Sequence, residues 1–251
     1  MDNSSSLLEI HRISKLWKSI SPFLFDLLFP PECMDCGDEG TWLCAICRAK
    51  LDWYPPCCFR CGKLVPRRVR AMPGLTCTPC RRYTVVHAFF SPFRYEIDTI
   101  RSLIHAMKYR RLRALDSFFA TILYEYIHTY SILFPSNLLI IPIPLHKARM
   151  RVRGFNQASC IAAQFAALSG WEYAPKCLIR TRATLPQVGL SYEMRKTNLA
   201  GAFAATLPQD LCLRPVLLVD DVKTTGSTIE EAARTLKKAG AGSIFVLTIA
   251  R

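Results

Sequence analysis

The sequence predicts an α/β protein, a parallel sheet flanked by helices, preceded by a small cysteine-rich module. Three observations predict it. From about residue 97 onward, near-continuous apolar runs alternate with helix-period segments, the pattern of strands buried on both faces of a parallel sheet. Eight of the twelve cysteines fall in four Cys-x-x-Cys pairs, all before residue 81. Between residues 30 and 82, periodic hydrophobicity gives way to Cys, Pro, Gly and Arg, too little apolar material for an ordinary core. The chain thus divides into a segment 1–29, a cysteine-rich module 30–82 and an α/β domain 83–251.

The first segment places Ile10, Ile13, Trp17, Ile20, Leu24 and Leu27 at helical spacing, interrupted by His11, Arg12, Lys15, Lys18 and Asp26. That is an amphipathic helix, not a secretory signal or a membrane span; peripheral membrane contact stays open. In the next module the pairs are Cys33/Cys36, Cys44/Cys47, Cys58/Cys61 and Cys77/Cys80. Each pair forms a knuckle presenting two thiolates, so four pairs supply two closed four-thiolate Zn²⁺ sites, structural because no position remains for water. Spacing favours pairing in sequence, as a double zinc ribbon. A crossed arrangement, and Cys57 in place of Cys58, stay open. Paired thiols of this kind fit a reducing, cytoplasmic setting. Cys160, Cys177 and Cys212 sit in mostly apolar stretches and read as inert.

In the α/β domain, residues 97–109 and 115–130 read as helices and 137–145 (NLLIIPIPL) as a buried strand. A helix over 155–169, a short strand near 176–180 and a polar loop over 182–198 follow. The strand 215–220, a helix over 227–239 and the strand SIFVLTIA complete the domain. The net charge is +14 and most of the excess lies in this domain. No acidic residue occurs between Tyr126 and Trp171, while Lys147, Arg149, Arg151 and Arg153 crowd together: a field suited to phosphate, pyrophosphate or a nucleic-acid backbone, or simply a solvated surface.

The stretch VLLVDDVKTTGST (216–228) carries the chemistry. A buried strand delivers Asp220 and Asp221 to the edge where parallel sheets bind ligands. A turn through Thr224, Thr225 and Gly226 then opens a helix at Ser227 or Thr228. Free N–H groups, the positive end of the helix dipole and clustered hydroxyls form a seat for a phosphate. Two acids beside that seat face sugar hydroxyls or a metal-bound sugar, and phosphate plus vicinal diol means phosphorylated ribose.

This stretch resembles the signature of type I phosphoribosyltransferases. With IPIPLHKARMRVRGFNQA (141–158), TLPQVGLSYEMRKTNLAGAF (184–203) and the Lys-Tyr of HAMKY (105–109), the chain resembles the ComF family, competence-associated proteins with a double zinc ribbon and a phosphoribosyltransferase-like domain. The resemblance implies that 5-phosphoribosyl-1-pyrophosphate binds with Mg²⁺. Its 5-phosphate would sit on Thr224, Thr225, Gly226, Ser227 and Thr228, its ribose hydroxyls on Asp220 and Asp221. The turn at Pro144, Leu145 and His146 would lie by the pyrophosphate, with Lys147, Arg149, Arg151 and Arg153 as neutralising cations and Lys108 as a further ligand candidate. Loop 184–198, with Gln187, Ser191, Arg195 and Asn198, would belong to a mobile hood. For His105 and His146 a hydrogen-bonded structural role competes with any ligand role, and Asn156 and Gln157 serve equally as helix caps.

Two functional readings follow from the resemblance. One is a phosphoribosyltransferase of nucleotide metabolism or salvage, although no base-binding pocket is legible. The other is a component of natural transformation that handles incoming single-stranded DNA at the inner face of the inner membrane, alongside an uptake helicase or channel. Arg60, Arg67, Arg68, Arg70, Arg81 and Arg82, with Trp42, Trp53 and Tyr54, suit single-strand binding, unless those aromatics pack the ribbons.

Overall fold

The computed structural model describes residues 30–65, 72–109, 112, 114–182, 201–206, 208 and 211–251. The expected N-terminal helix and the loop carrying Gln187 and Arg195 lie outside them. The chain forms two compact units, Met1–Leu51 and Asp52–Arg251.

In the smaller unit, backbone turns close around the first four cysteines. Helix α1 (Ala45–Ala49) starts at Cys44, whose thiol accepts the Cys47 N–H at 3.4 Å, and the Cys44 N–H in turn donates to the Cys33 sulfur at 3.4 Å. Such N–H···S bonds stabilise thiolate and fix the knuckle, so the short chain needs little apolar core.

The larger unit begins with the second cysteine cluster and the one-turn helix α2 (Thr78–Arg81). Strand β1 (Val86–Phe90), helices α3 (Asp98–Tyr109) and α4 (Ala114–Thr129), and strand β2 (Leu139–Pro142) follow. Next come α5 (Lys147–Arg153), α6 (Gln157–Ser169), β3 (Glu172–Tyr173), a 3₁₀ turn (Pro175–Cys177) and β4 (Leu178–Arg180). Strand β5 (Phe203–Ala205), β6 (Val216–Val222), α7 (Ser227–Lys238) and β7 (Ile244–Ala250) complete it. Five strands form one sheet in the order β1-β7-β6-β2-β3, every pairing parallel.

The strands at the sheet centre are apolar where both faces are covered: β2 throughout, β6 from Val216 to Val219, and β7 except at Thr248. Alternate residues Leu139, Ile141, Val216, Leu218, Ile244 and Val246 pack with Ile229, Ala232, Ala233 and Leu236 of α7. The intervening residues Leu217, Val219, Phe245 and Leu247 are equally buried and take the face on which α4 and α6 lie.

Several elements differ from the sequence reading. Strand β2 is shorter than 137–145, because Pro144 has no N–H to donate and the chain leaves the sheet after Ile143, whose N–H still reaches Val219 O at 2.9 Å. The segment 176–180 divides at Cys177, and β4 pairs antiparallel with β5 outside the main sheet. Strands β1, β3 and β5 and helix α5 are short elements that hydrophobic periodicity did not expose. Strand β6 runs on through both aspartates to Val222, so backbone pairing with β7, Asp220 against Thr248, holds the acids in register.

The topology locates a crevice. From β2 the chain crosses through α5 and α6 to β3 on one side, whereas from β6 it crosses through α7 to β7 on the other. Adjacent parallel strands whose connections diverge leave a cleft at their C-terminal ends, where ligands of open α/β sheets bind.

Candidate functional site

At that cleft lies a cavity of about 720 Å³, lined by Asp220, Asp221, Val222, Thr224 and Thr228. Arg149, Arg153 and Arg180 line the same cavity, with Lys108 and Tyr109 at the end of α3. Lys108 Nζ pairs with Asp221 Oδ2 at 2.7 Å. Asp220 Oδ1 instead accepts its neighbour's backbone N–H at 2.9 Å. Burial, and then the Asp221 charge, push the Asp220 carboxyl well above its ordinary range, while the Asp221 N–H and Lys108 oppose the rise. A diol or a cation against Asp220 would relieve that penalty, so the pair is built to gain by binding.

Beyond Val222 the chain turns through Lys223–Gly226. Gly226 occupies the N-cap of α7 at φ 78°, a left-handed conformation costly for any residue with a Cβ. The Thr225 and Ser227 hydroxyls lie 3.1 Å apart, and Thr225 Oγ1 also accepts the Ser227 N–H at 3.4 Å. Helix α7 runs for 12 residues and aims its positive end at this turn. Lys223 does not line the cavity; its ammonium lies over the rings of Phe59 and Phe89, at 5.1 and 5.4 Å.

The basic wall rests on α5, which puts Arg149 and Arg153 four residues apart on one face; Lys147 and Arg151 lie off the cavity lining. Arg153 stacks on Tyr109 at 5.5 Å and donates to Gln157 Oε1 at 3.2 Å. His146 does not line the cavity: it caps α5, its Nδ1 accepting the Ala148 N–H at 3.2 Å. Asn156 occupies the N-cap position of α6, yet its amide donates to Ile143 O and Ser159 Oγ, both at 3.0 Å, pinning the turn after β2. Gln157 is 1% exposed and lines the cavity, and its Nε2 has no hydrogen-bond partner among the described residues. Such an orphan donor costs about 1–3 kcal/mol unless an acceptor oxygen arrives.

Two participants escaped the sequence reading. Arg180, on β4, lines the cavity; burial and Arg149 lower its pKa and Asp220 opposes them, which places it among these charges. Tyr109 was noted only as part of a motif, yet its exposed ring adjoins Lys108 and Arg153. An arginine next to a short apolar run was the only local sign of Arg180, and many arginines share it.

The cysteines gather in sequential pairs, Cys33/Cys36 with Cys44/Cys47 and Cys58/Cys61 with Cys77/Cys80, each set of sulfurs within 4.8 Å. Cys36–Cys44 and Cys61–Cys77 sulfurs stand 3.7 Å apart. Tetrahedral Zn–S bonds of about 2.3 Å require sulfurs about 3.8 Å apart, so the sets fit Zn²⁺. Cys57 is not in a set; its sulfur accepts from Arg251 Nη1 at 2.7 Å. Trp53 packs on Tyr126 at 5.7 Å, and the Tyr54 ring carries the guanidinium groups of Arg94 and Arg251. On this unit the exposed aromatic beside the ribbon arginines is instead Tyr83, with Arg60 and Arg82 at 4.9 and 4.8 Å from its ring.

Comparison with known proteins bears on both parts. Residues 24–81 match the double zinc ribbon domain. The chain is 31% identical over 221 residues to a DNA utilization protein, YhgH, of Shigella flexneri, covering 84% of this chain and 92% of that protein. It is likewise 31% identical over 217 residues to Competence protein F of Haemophilus influenzae, covering 83% and 90%. The chain belongs to the ComF family. Competence protein ComFC of Bacillus subtilis is similar at 28% identity over 225 residues, covering 83% and 84%. In this ComF protein, two segments that carried the resemblance contribute to one cavity, through Arg153, Asn156 and Gln157 and through Asp220, Asp221, Val222, Thr224 and Thr228, while Thr225, Gly226 and Ser227 do not line it and the third segment, as far as residue 200, lies outside the described residues. The two four-cysteine sites are the zinc sites of its double ribbon. Among the described residues no helix is long and apolar enough to cross a membrane.

Proposed function

We propose that the chain binds 5-phosphoribosyl-1-pyrophosphate with Mg²⁺ in the cleft between β2 and β6, and that it acts in natural transformation on incoming single-stranded DNA. The observation that carries the first part is the convergence, on one cavity, of an acid pair running into a glycine-started helix and three arginines. The 5-phosphate takes the Thr224–Thr228 turn, and Asp220 and Asp221 accept from the ribose hydroxyls. Arg149, Arg153 and Arg180 balance the pyrophosphate, and the orphan Gln157 Nε2 donates to one of its oxygens. Hard oxygen ligands suit Mg²⁺; Asp220, the carboxylate with most to gain from it, would help hold the ion, which would supply neutralisation of phosphate charge. Lys108 holds Asp221 in place. Hydrogen exchange tests this site: added Mg²⁺ and phosphoribosyl pyrophosphate should protect residues 144–157 and 220–229 selectively. Uniform or absent protection counts against it.

The second part is supported by the relatives' names, competence and DNA utilization. On this chain, the exposed Tyr83 flanked by Arg60 and Arg82 supplies stacking and phosphate neutralisation, the two needs of single-strand binding. Tyr83→Ala should weaken binding of a labelled single-stranded oligonucleotide several-fold at fixed salt; an unchanged affinity removes Tyr83 from that role.

A transferase reading is favoured by one feature, the apolar rim of Leu145, Val152 and Tyr109 on the same cavity, which gives a planar acceptor a place to stack. Pyrophosphate release that depends on an added nitrogenous base distinguishes turnover from binding alone.

A further inference from the structure

The second zinc ribbon touches the proposed phosphate seat from behind. Phe59 lies inside the Cys58-x-x-Cys61 knuckle and is 5% exposed. A Cβ on Gly226 would stand 3.0 Å from Phe59 Cζ, so the ring fills the space directly behind the turn. The same ring meets Phe89 of β1 edge-on at 5.7 Å and belongs to the apolar cluster that includes Ile229 and Ala232 of α7. Its knuckle is tied down on the other side as well. Arg251, which follows β7, bonds Cys57 Sγ and lies against Gly62, while its own N–H reaches Phe93 O at 3.1 Å. Gly226 takes its left-handed conformation freely, and the side chains that limit where the turn can sit are Phe59 and Lys223, whose Cε would stand 3.1 Å from a Cβ at that position.

We infer that Phe59 is a positioning residue for the Thr224–Thr228 turn, and that zinc at Cys58, Cys61, Cys77 and Cys80 acts through it to set how tightly this protein holds a phosphate. The knuckle fixes the ring, the ring fixes Gly226, and Gly226 fixes the N–H groups at the start of α7. This rests on the reading of that turn as a phosphate seat. It gives the ribbon that shares a unit with the α/β core a role in small-molecule binding, separate from any contact with nucleic acid.

The test uses the full zinc-loaded chain as wild type, Phe59→Ala and Phe59→Leu, with metal content measured on each. Hydrogen exchange without ligand reads the turn, and calorimetry with Mg²⁺ and phosphoribosyl pyrophosphate reads its use. Phe59→Ala should retain both zinc ions, speed exchange over residues 223–229 relative to α6, and weaken binding at least tenfold, with Phe59→Leu restoring most of both. Exchange in Phe59→Ala that is unchanged at the turn, or raised equally in α6, overturns the inference. So does an unchanged Kd in a wild type that binds. A wild type that does not bind fails the phosphate-seat reading instead, and the exchange data still decide whether Phe59 holds the turn.

Discussion

Replacing Lys108 by Met perturbs the cleft at the one close ion pair found there among the described residues. The Lys108–Asp221 contact is 2.7 Å, with the two side chains only 17% and 16% exposed. Breaking a fully buried pair costs about 3–5 kcal/mol, because a charge is left desolvated. A surface pair is worth about 0–1 kcal/mol. At one-sixth exposure, solvent screens part of the loss, and the cost should be about 2–3 kcal/mol. For a unit of this size each kcal/mol moves Tm by about 2–4 °C, so Tm should fall by about 5–10 °C. The neighbouring Asp220 adds like charge, which makes the unpaired Asp221 worse. Asp221→Asn in the Lys108→Met background should therefore recover stability, and a urea double-mutant cycle should return a coupling of about 2 kcal/mol. The doubly substituted protein should still fail to bind phosphoribosyl pyrophosphate, since a carboxylate has gone. A Lys108→Met variant within about 0.5 kcal/mol of wild type, as expected for an ordinary exposed lysine, would refute the reasoning.

Three further perturbations have definite outcomes. Asp220 has a folded pKa raised by burial and by Asp221, so its contribution to stability falls as pH rises from its unfolded value, about 4, through the folded one. Asp220→Asn should thus be more stable than wild type at pH 8, with the gap closing near pH 4 in urea titrations, while wild-type ligand affinity should drop on acidification through the raised value. Gly226→Ala forces a side chain into φ 78° and 3.0 Å from Phe59. The left-handed conformation costs about 1–2 kcal/mol and the overpacking about 1–3 kcal/mol, readable as a Tm loss together with weakened binding. Cys58→Ser should drop the zinc stoichiometry from two to one, whereas Cys57→Ser should leave it at two; equal losses in both would place Cys57 among the ligands.

What the sequence made legible was local. Asp220, Asp221 and Gly226 sit in one run whose order alone implies strand, turn and helix, and the long apolar segments of β6 and β7 mark a sheet buried on both faces. Residues whose meaning depends on distant partners stayed hidden. Phe59 lies more than a hundred positions from Gly226, and Arg180 reaches the cleft only because β4 leaves the main sheet to pair with β5. Spacing favoured sequential zinc sets but left crossed ones open, since knuckles of both kinds close the same way; the three-dimensional grouping of sulfurs is sequential. His146 takes the hydrogen-bonded structural role that its sequence position also allowed: it adjoins the cleft in sequence, and its ring caps α5. Strand β1 was missed because its five residues, four apolar ones and an exposed His87, carry no periodicity beyond their own length.

Calorimetric titration of the zinc-loaded chain with Mg²⁺ and phosphoribosyl pyrophosphate tests the central claim most directly, with the Asp220→Ala, Asp221→Ala double variant beside it. The account predicts saturable binding at one site per chain, abolished in a double variant that remains folded and retains its zinc. No binding by the folded wild type, or equal binding by both proteins, would contradict it.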